Sequence, residues 1–204
     1  MRLRIGCALL LIVLALCTSG CPAEATTPAE SFVFSNIQIG LGILGDKQLT
    51  ETRRKEKFAA FLLSVTDMKR IAEFTLGHFA ETASPHDKDA FIRAFQDYAA
   101  AVYQSYFTKY SGQSLTITRS TERAPGDFII ETNLIDPGES SGRPPLEIDF
   151  RVRTDAGQTV IVDFGVAGIW IAIAERDDFD AVLTKNHGDI GDLIAHLQAA
   201  SAKY

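Results

Sequence analysis

The hydrophobic period of the chain changes once, near its middle. Val33, Ile37, Leu41 and Leu44 recur at intervals of four, four and three, which places them on one stripe of a helix. Asp46 opens a second, charged helix that turns apolar over residues 58–63, and a short third helix is predicted from Asp67 through Ile71, Phe74 and Leu76 to Gly77. Ser84-Pro85-His86-Asp87 supplies an N-cap, a proline in the first turn and an acid at the positive end of the helix dipole. It opens a long helix for which Gly112 is a natural stop.

Beyond Gly112 the period falls to two. LTITRS (115–120), DFIIETNLI (127–135), PLEIDFRVR (145–153) and QTVIVDFGV (158–166) read as strands, separated by turn signals at 124–127 and 155–157. In the third strand Leu146, Ile148, Phe150 and Val152 share one face, and Glu147, Asp149, Arg151 and Arg153 share the other. The segment DPGESSGRPP, residues 136–145, reads as a surface loop between two strands. Two closing helices are expected from near Ile171 to Leu183 and from Asp189 to Ala200. Connections this short imply an antiparallel meander with one face wetted. The predicted fold class is α+β: helices packed on one face of a four-stranded or slightly larger antiparallel twisted sheet, with an apolar cleft between.

The long helix carries seven aromatic residues in the twenty positions 91–110. Phe91, Phe95, Tyr98, Val102 and Tyr106 step by four, three, four and four, a continuous stripe expected to face the apolar side of the sheet. Taken singly, each ring is ordinary core. Tyr103, Phe107 and Tyr110 widen the arc, and a wide aromatic arc opposite a small sheet leaves a gap to fill.

The first twenty-five residues alter the setting. Arg2 and Arg4 precede an apolar run from Cys7 to Cys17 and then small residues, the three-part layout of a secretory signal, with a run too short to span a bilayer. Ala23-Glu24-Ala25 fits ordinary signal peptidase, and Thr18-Ser19-Gly20-Cys21 approximates a lipoprotein box. Thr18 in place of the usual leucine, and Pro22 after the cysteine, favour release after Ala25 over a lipid anchor at Cys21. The expected organisation is a leader at 1–25 and a single domain at 26–204, exported from the cytoplasm.

All three cysteines lie in the leader, so no disulfide, thiol nucleophile or thiolate metal site is available after Cys21. Without the leader, 18 Lys+Arg (20 − 2) face 25 Asp+Glu (26 − 1), a balance of −7, which argues against nucleic acid as a partner. Gly40-Leu41-Gly42-Ile43-Leu44-Gly45 matches the dinucleotide pattern but continues a helical stripe with no strand before it. His78, His86, His187 and His196 are isolated, and no serine sits in a nucleophile-elbow motif. Glu131, Asp149 and Asp163, with Arg151 among them, read as a solvated charge lattice rather than an acid–base pair. No cofactor, no metal and no enzymatic activity is expected; the chain reads as a binder.

Three segments carry a resemblance: Asp67 with Leu76-Gly77; Phe91, Ala94, Phe95 and Tyr98; and Tyr110-Ser111-Gly112 leading into the first strand. With residues 148–153, 160–171, 174–183 and 191–197 they resemble the MlaC (toluene-tolerance) family of periplasmic phospholipid-binding proteins, and also its hopanoid-associated branch, HpnM. Two stretches depart from the family pattern: His78-Phe79-Ala80, where an aromatic pair with tryptophan is common, and Val166-Ala167-Gly168-Ile169-Trp170 after the fourth strand. The resemblance implies a soluble shuttle that buries the tails of a phospholipid, or of a hopanoid-like lipid. It implies exchange of that cargo with an inner-membrane ABC transporter complex, and an outer-membrane lipoprotein as a further partner. Phe95, Tyr98, Val102 and Tyr106 are expected to form one wall of the lipid site, and Ile117, Ile130, Phe150, Val162 and Trp170 the facing wall and rim. The alternative is a non-enzymatic structural or adaptor protein with a filled core.

Overall fold

The computed structural model describes residues 27–107, 110–139 and 142–203, with the backbone alone for 103–107. The leader expected at 1–25 and the side chain of Tyr106 lie outside the described residues.

Among the described residues, four helices precede the aromatic one. Helix α1 (Pro28–Gly45) starts at a capping box in which Thr27 accepts from the Glu30 amide and the Glu30 carboxylate accepts from the Thr27 amide. Its buried stripe is Ala29, Val33, Ile37 and Gly40. A Cβ on Gly40 would come within 3.0 Å of the Phe61 ring, so this glycine lets α1 approach α2 (Glu51–Val65) closely. The glycine-rich motif is thereby accounted for as helix packing. Helix α2 begins four residues later than expected: Asp46 folds into a turn with the Gln48 amide, and Thr50 is the cap. Asp67 caps α3 (Met68–Thr75), and a short α4 (Phe79–Thr82) follows. The aromatic helix is α5 (Pro85–Phe107), started by Ser84, whose hydroxyl accepts from the Asp87 amide and donates to the Asp87 carboxylate.

The sheet is an antiparallel meander of β1 (Ser114–Ala124), β2 (Asp127–Ile135), β3 (Leu146–Asp155), β4 (Gln158–Val166) and the two-residue β5 (Ile169–Trp170), in that order. Helices α6 (Ile171–Lys185) and α7 (Ile190–Ser201) close the chain.

Two apolar clusters divide the interior. One lies between α1 and the sheet, where Ala29, Val33, Ile37 and Val65 meet Ile130, Phe150, Val152 and Ile161. Thr132, on the same inward face, is buried with its hydroxyl paired, donating to the Ile148 carbonyl. The other cluster is helical: Phe91, Ala94, Phe95 and Ala99 of α5 pack with residues of α3, α6 and α7, including Phe179, Leu183, Leu193 and Leu197. Phe179 meets Phe91 and Phe95 edge-on at 6.0 and 6.2 Å between ring centres. Phe164 of β4 touches both clusters. This corrects the expectation that the aromatic stripe faces the sheet. Helix α1 covers the sheet, and α5 packs on other helices.

Candidate functional site

A cavity of about 200 Å³ lies between α5 and α6. Phe95, Tyr98, Ala99 and Val102 line it from one helix; Ile171, Ala174, Glu175 and Asp178 line it from the other. Each set steps by three, one and three residues, so each is a single helical stripe turned toward its counterpart. The gap is made by what the stripes lack. Ala99 and Ala174 face a space that larger side chains would fill. Phe95 and Ala99 are almost fully buried at 2% and 3% exposure, whereas Asp178 is exposed, so the cavity runs from an apolar floor to an acidic rim.

A polar bond crosses it. The Tyr98 hydroxyl donates to Glu175 Oε1 at 3.0 Å, joining α5 to α6. Burial pushes the Glu175 carboxyl above its ordinary value; the Tyr98 hydrogen bond pulls it down, and Asp178 one turn on pushes it up again.

The placement of α6 depends on a residue of the sheet. Trp170, at its N-cap, makes no side-chain cap bond. Instead Asp163 Oδ1 of β4 accepts from the Ala172 amide at 2.9 Å and from its neighbour Phe164 at 2.8 Å. A carboxylate at the positive end of the helix dipole satisfies an amide left over by the first turn. Burial nonetheless raises the Asp163 pKa, against the lowering effect of the two amides and of Arg151.

On the outward sheet face Arg151 forms a bidentate pair with buried Asp127, at 3.0 and 2.9 Å, and holds that carboxyl below its ordinary value. Glu131 pairs with Arg119 at 2.7 Å. Asp149 is pushed up, first by burial and then by Glu131 and Glu147. The charge lattice expected here therefore takes the form of cross-strand pairs, with Asp163 diverted to α6.

The structure brings together only part of the expected site. Phe95, Tyr98 and Val102 line the cavity; Tyr106 lies outside the described side chains. Ile117, Ile130 and Phe150 belong to the packed cluster beneath α1. Val162 is the residue without a β3 partner at a bulge, where Arg151 pairs with Asp163 and Val152 with Ile161, and it joins neither cluster. Trp170 pairs with Gly165 on the outward face, its ring 3.5 Å from where a Gly165 Cβ would stand, beside Asp149. The wall opposite the aromatic arc is thus α6 rather than the strands. Ala99, Ile171, Ala174, Glu175 and Asp178 were not anticipated; the signal available for them was the alanine run at 99–101 and the repeat of the same spacing in α6.

A second depression, of about 370 Å³, lies on the other side of α6 and is lined by Gly77, His78, Arg176, Asp177 and Asp180. There His78 Nδ1 approaches Asp180 Oδ1 at 3.4 Å, and Arg176 lies over the Phe74 ring, 5.1 Å from its centre. It is the larger of the two, but charged walls cannot replace the apolar contact that a hydrocarbon tail loses on leaving a membrane. Among the described residues no three His, Cys, Asp or Glu side chains are grouped to hold a metal ion, and no helix is long and apolar enough to cross a membrane.

Comparison with solved structures finds the same fold in a phospholipid-binding protein from Ralstonia solanacearum, solved in complex with a phospholipid: TM-score 0.75, 20% identity, 87% of this chain and 98% of that chain covered. The intermembrane phospholipid transport system binding protein MlaC of Haemophilus influenzae is 24% identical over 136 residues, 61% of this chain. The match spans 62% of that protein's length. The model of the MlaC protein family matches residues 36–199, from within α1 to the last turns of α7, and so takes in both walls of the cavity. The chain belongs to the MlaC family.

Proposed function

We propose that this protein is a periplasmic lipid carrier that buries acyl tails of a phospholipid in the space between α5 and α6. The observation that carries the reading is the cavity itself, in which the apolar stripe of α5 faces Ile171 and Ala174 of α6, with Glu175 bonded across it and Asp178 at the rim. Each methylene removed from water is worth about 0.8 kcal/mol, so a sixteen-carbon tail represents on the order of 13 kcal/mol against unaided passage through an aqueous compartment. A carrier has only to replace the membrane's apolar contact with its own. The headgroup keeps its hydration at the mouth. The expected leader places the protein in the periplasm, where it exchanges cargo with an inner-membrane ABC transporter complex, with an outer-membrane lipoprotein as the second partner. The role is binding and transfer, without chemistry on the lipid.

The test is organic extraction of the gently purified protein followed by mass spectrometry. Lipid near one equivalent per chain is expected, and its masses identify the class, hopanoid-like lipids included. Protein that yields no lipid, and takes none up from phospholipid vesicles, would refute the carrier reading in favour of a structural or adaptor role.

A further inference from the structure

The empty cavity is small for the cargo proposed for it. Sites that bury most of a drug-sized ligand span about 300–1,000 Å³, against the 200 Å³ between α5 and α6. A diacyl lipid is larger still. Loading therefore requires the two helices to separate, and whatever ties them together across the gap sets how readily they do.

Among the described residues the Tyr98 hydroxyl of α5 is hydrogen-bonded to Glu175 of α6, and both residues line the cavity. Beside it the Phe95 and Tyr98 rings meet Phe179 of α6 at 6.2 and 6.4 Å, contacts that are non-directional. Apolar surfaces can slide and part gradually, exchanging each other's contact for that of a tail. A hydrogen bond to a carboxylate is lost over a fraction of an ångström, and it leaves a half-buried acceptor without its donor. Such a bond acts as a threshold.

We infer that the Tyr98–Glu175 hydrogen bond is a strap that holds the empty lipid site closed and is released when acyl chains enter between α5 and α6. The inference rests on the carrier reading. In the loaded protein the helices stand apart and the strap is open, so it opposes uptake and has no hold on release. Apparent affinity is the intrinsic affinity reduced by the fraction of molecules in the open state. Removing the strap raises that fraction.

The test follows transfer of a phosphatidylglycerol carrying a fluorescent acyl chain from vesicles to the delipidated protein, and back to acceptor vesicles, for wild type, Tyr98→Phe and Glu175→Gln. Tyr98→Phe keeps the ring and removes the donor; uptake is expected to accelerate by roughly tenfold or more, the equilibrium value of a hydrogen bond to a charged group, while release is unchanged. Glu175→Gln retains a neutral acceptor and is expected to fall between wild type and Tyr98→Phe. It also provides a reading if Tyr98→Phe folds poorly. A more apolar pocket wall would act differently, slowing release and leaving uptake alone. Wild-type uptake with either variant at the wild-type rate, or a gain confined to release, overturns the strap while leaving the carrier standing. A wild-type protein that takes up no lipid overturns both.

Discussion

Filling the cavity from the α6 side tests the site directly. Ala174 lines the gap opposite the aromatic stripe and is half-buried. Ala174→Leu adds three carbons to a space of about 200 Å³. At about 0.8 kcal/mol per buried methylene, three carbons are worth at most about 2.4 kcal/mol, and partial exposure reduces this to roughly 1–2 kcal/mol. For a chain of this size each kcal/mol moves the melting temperature by about 2–4 °C, so the empty variant should melt about 2–8 °C higher than wild type. The same leucine occupies the volume a tail needs, and lipid uptake from vesicles should fall steeply.

A substitution that raises stability while abolishing binding is a demanding signature. Most core changes do the reverse or lower both. Calorimetry on delipidated protein gives the first quantity, and vesicle transfer gives the second. Ile173→Ala is the control, since Ile173 is 42% exposed on the same helix and is not part of the cavity lining; it should leave uptake unchanged. If Ala174→Leu retained wild-type binding, the tails would have to lie elsewhere. If it lowered the melting temperature, the leucine would be straining a filled space at the cost of about 1–3 kcal/mol that overpacking brings, and the gap would not be available to cargo.

Asp163→Ala removes the acceptor for the Ala172 and Phe164 amides and should cost about 1–3 kcal/mol in urea unfolding; Asp163→Asn keeps an acceptor and should cost less, so equal losses would mean that charge rather than hydrogen bonding places α6. Stability should also pass through a maximum in mild acid. The carboxyls of Asp163, Glu175 and Asp149 are raised chiefly by burial, so they bind protons more tightly folded than unfolded, and acidifying from neutrality through their folded pKa values adds stability until the ordinary values, 4.5 for Glu and 3.8 for Asp, are reached. Asp127, held down by Arg151, contributes stability above 3.8 that is lost as the pH falls through its depressed value, and exposed Asp87, Asp136 and Asp155 act in the same sense. A urea midpoint that fell steadily from neutrality down to pH ~4 would contradict the burial of the three raised groups.

The elements that could be read from the sequence are those whose own periodicity is fixed by a single environment. Strands 127–135 and 158–166 coincide with β2 and β4, because alternation reports directly on one buried and one wetted face. Asp67 was legible as the start of α3, where it proves to be the N-cap, because it acts on its own helix. Partners were not legible. The stripes of α1 and α5 have similar spacing, and a stripe specifies a face that must be covered without specifying what covers it; α1 took the sheet, and α5 took α7, α3 and α2 together with Phe179 of α6. Val162 was misplaced because one bulge shifts the alternation, so that Ile161 at 4% exposure faces inward instead. Trp170 sits in a strand of two residues, too short to show any period. The cavity was hardest of all, since its cause is the absence of side-chain atoms at alanines, which a hydrophobic pattern scores as ordinary apolar positions.

The division of the interior into two clusters has a consequence for how cargo can be accommodated. A core packed as densely as protein interiors are does not dilate uniformly, so volume for a lipid must come from a boundary where one set of contacts can be exchanged for another. In the cluster under α1, Ile130 and Val152 are at 0% exposure, and the strands are tied by a continuous hydrogen-bond ladder that cannot open locally without leaving amides unpaired. In the helical cluster each element satisfies its own backbone bonds, so α5 and α6 can part without breaking a single one of them. What resists their parting is side-chain contact, and a lipid tail supplies the same kind of contact. Asp163 fixes the start of α6 to β4, at the Ile171 end of the cavity lining, while the Phe179 end is held by the rings of Phe91 and Phe95. Between those two attachments lie Ala174 and Glu175, so the middle of α6 is where the wall can move and where the Tyr98 bond spans the gap.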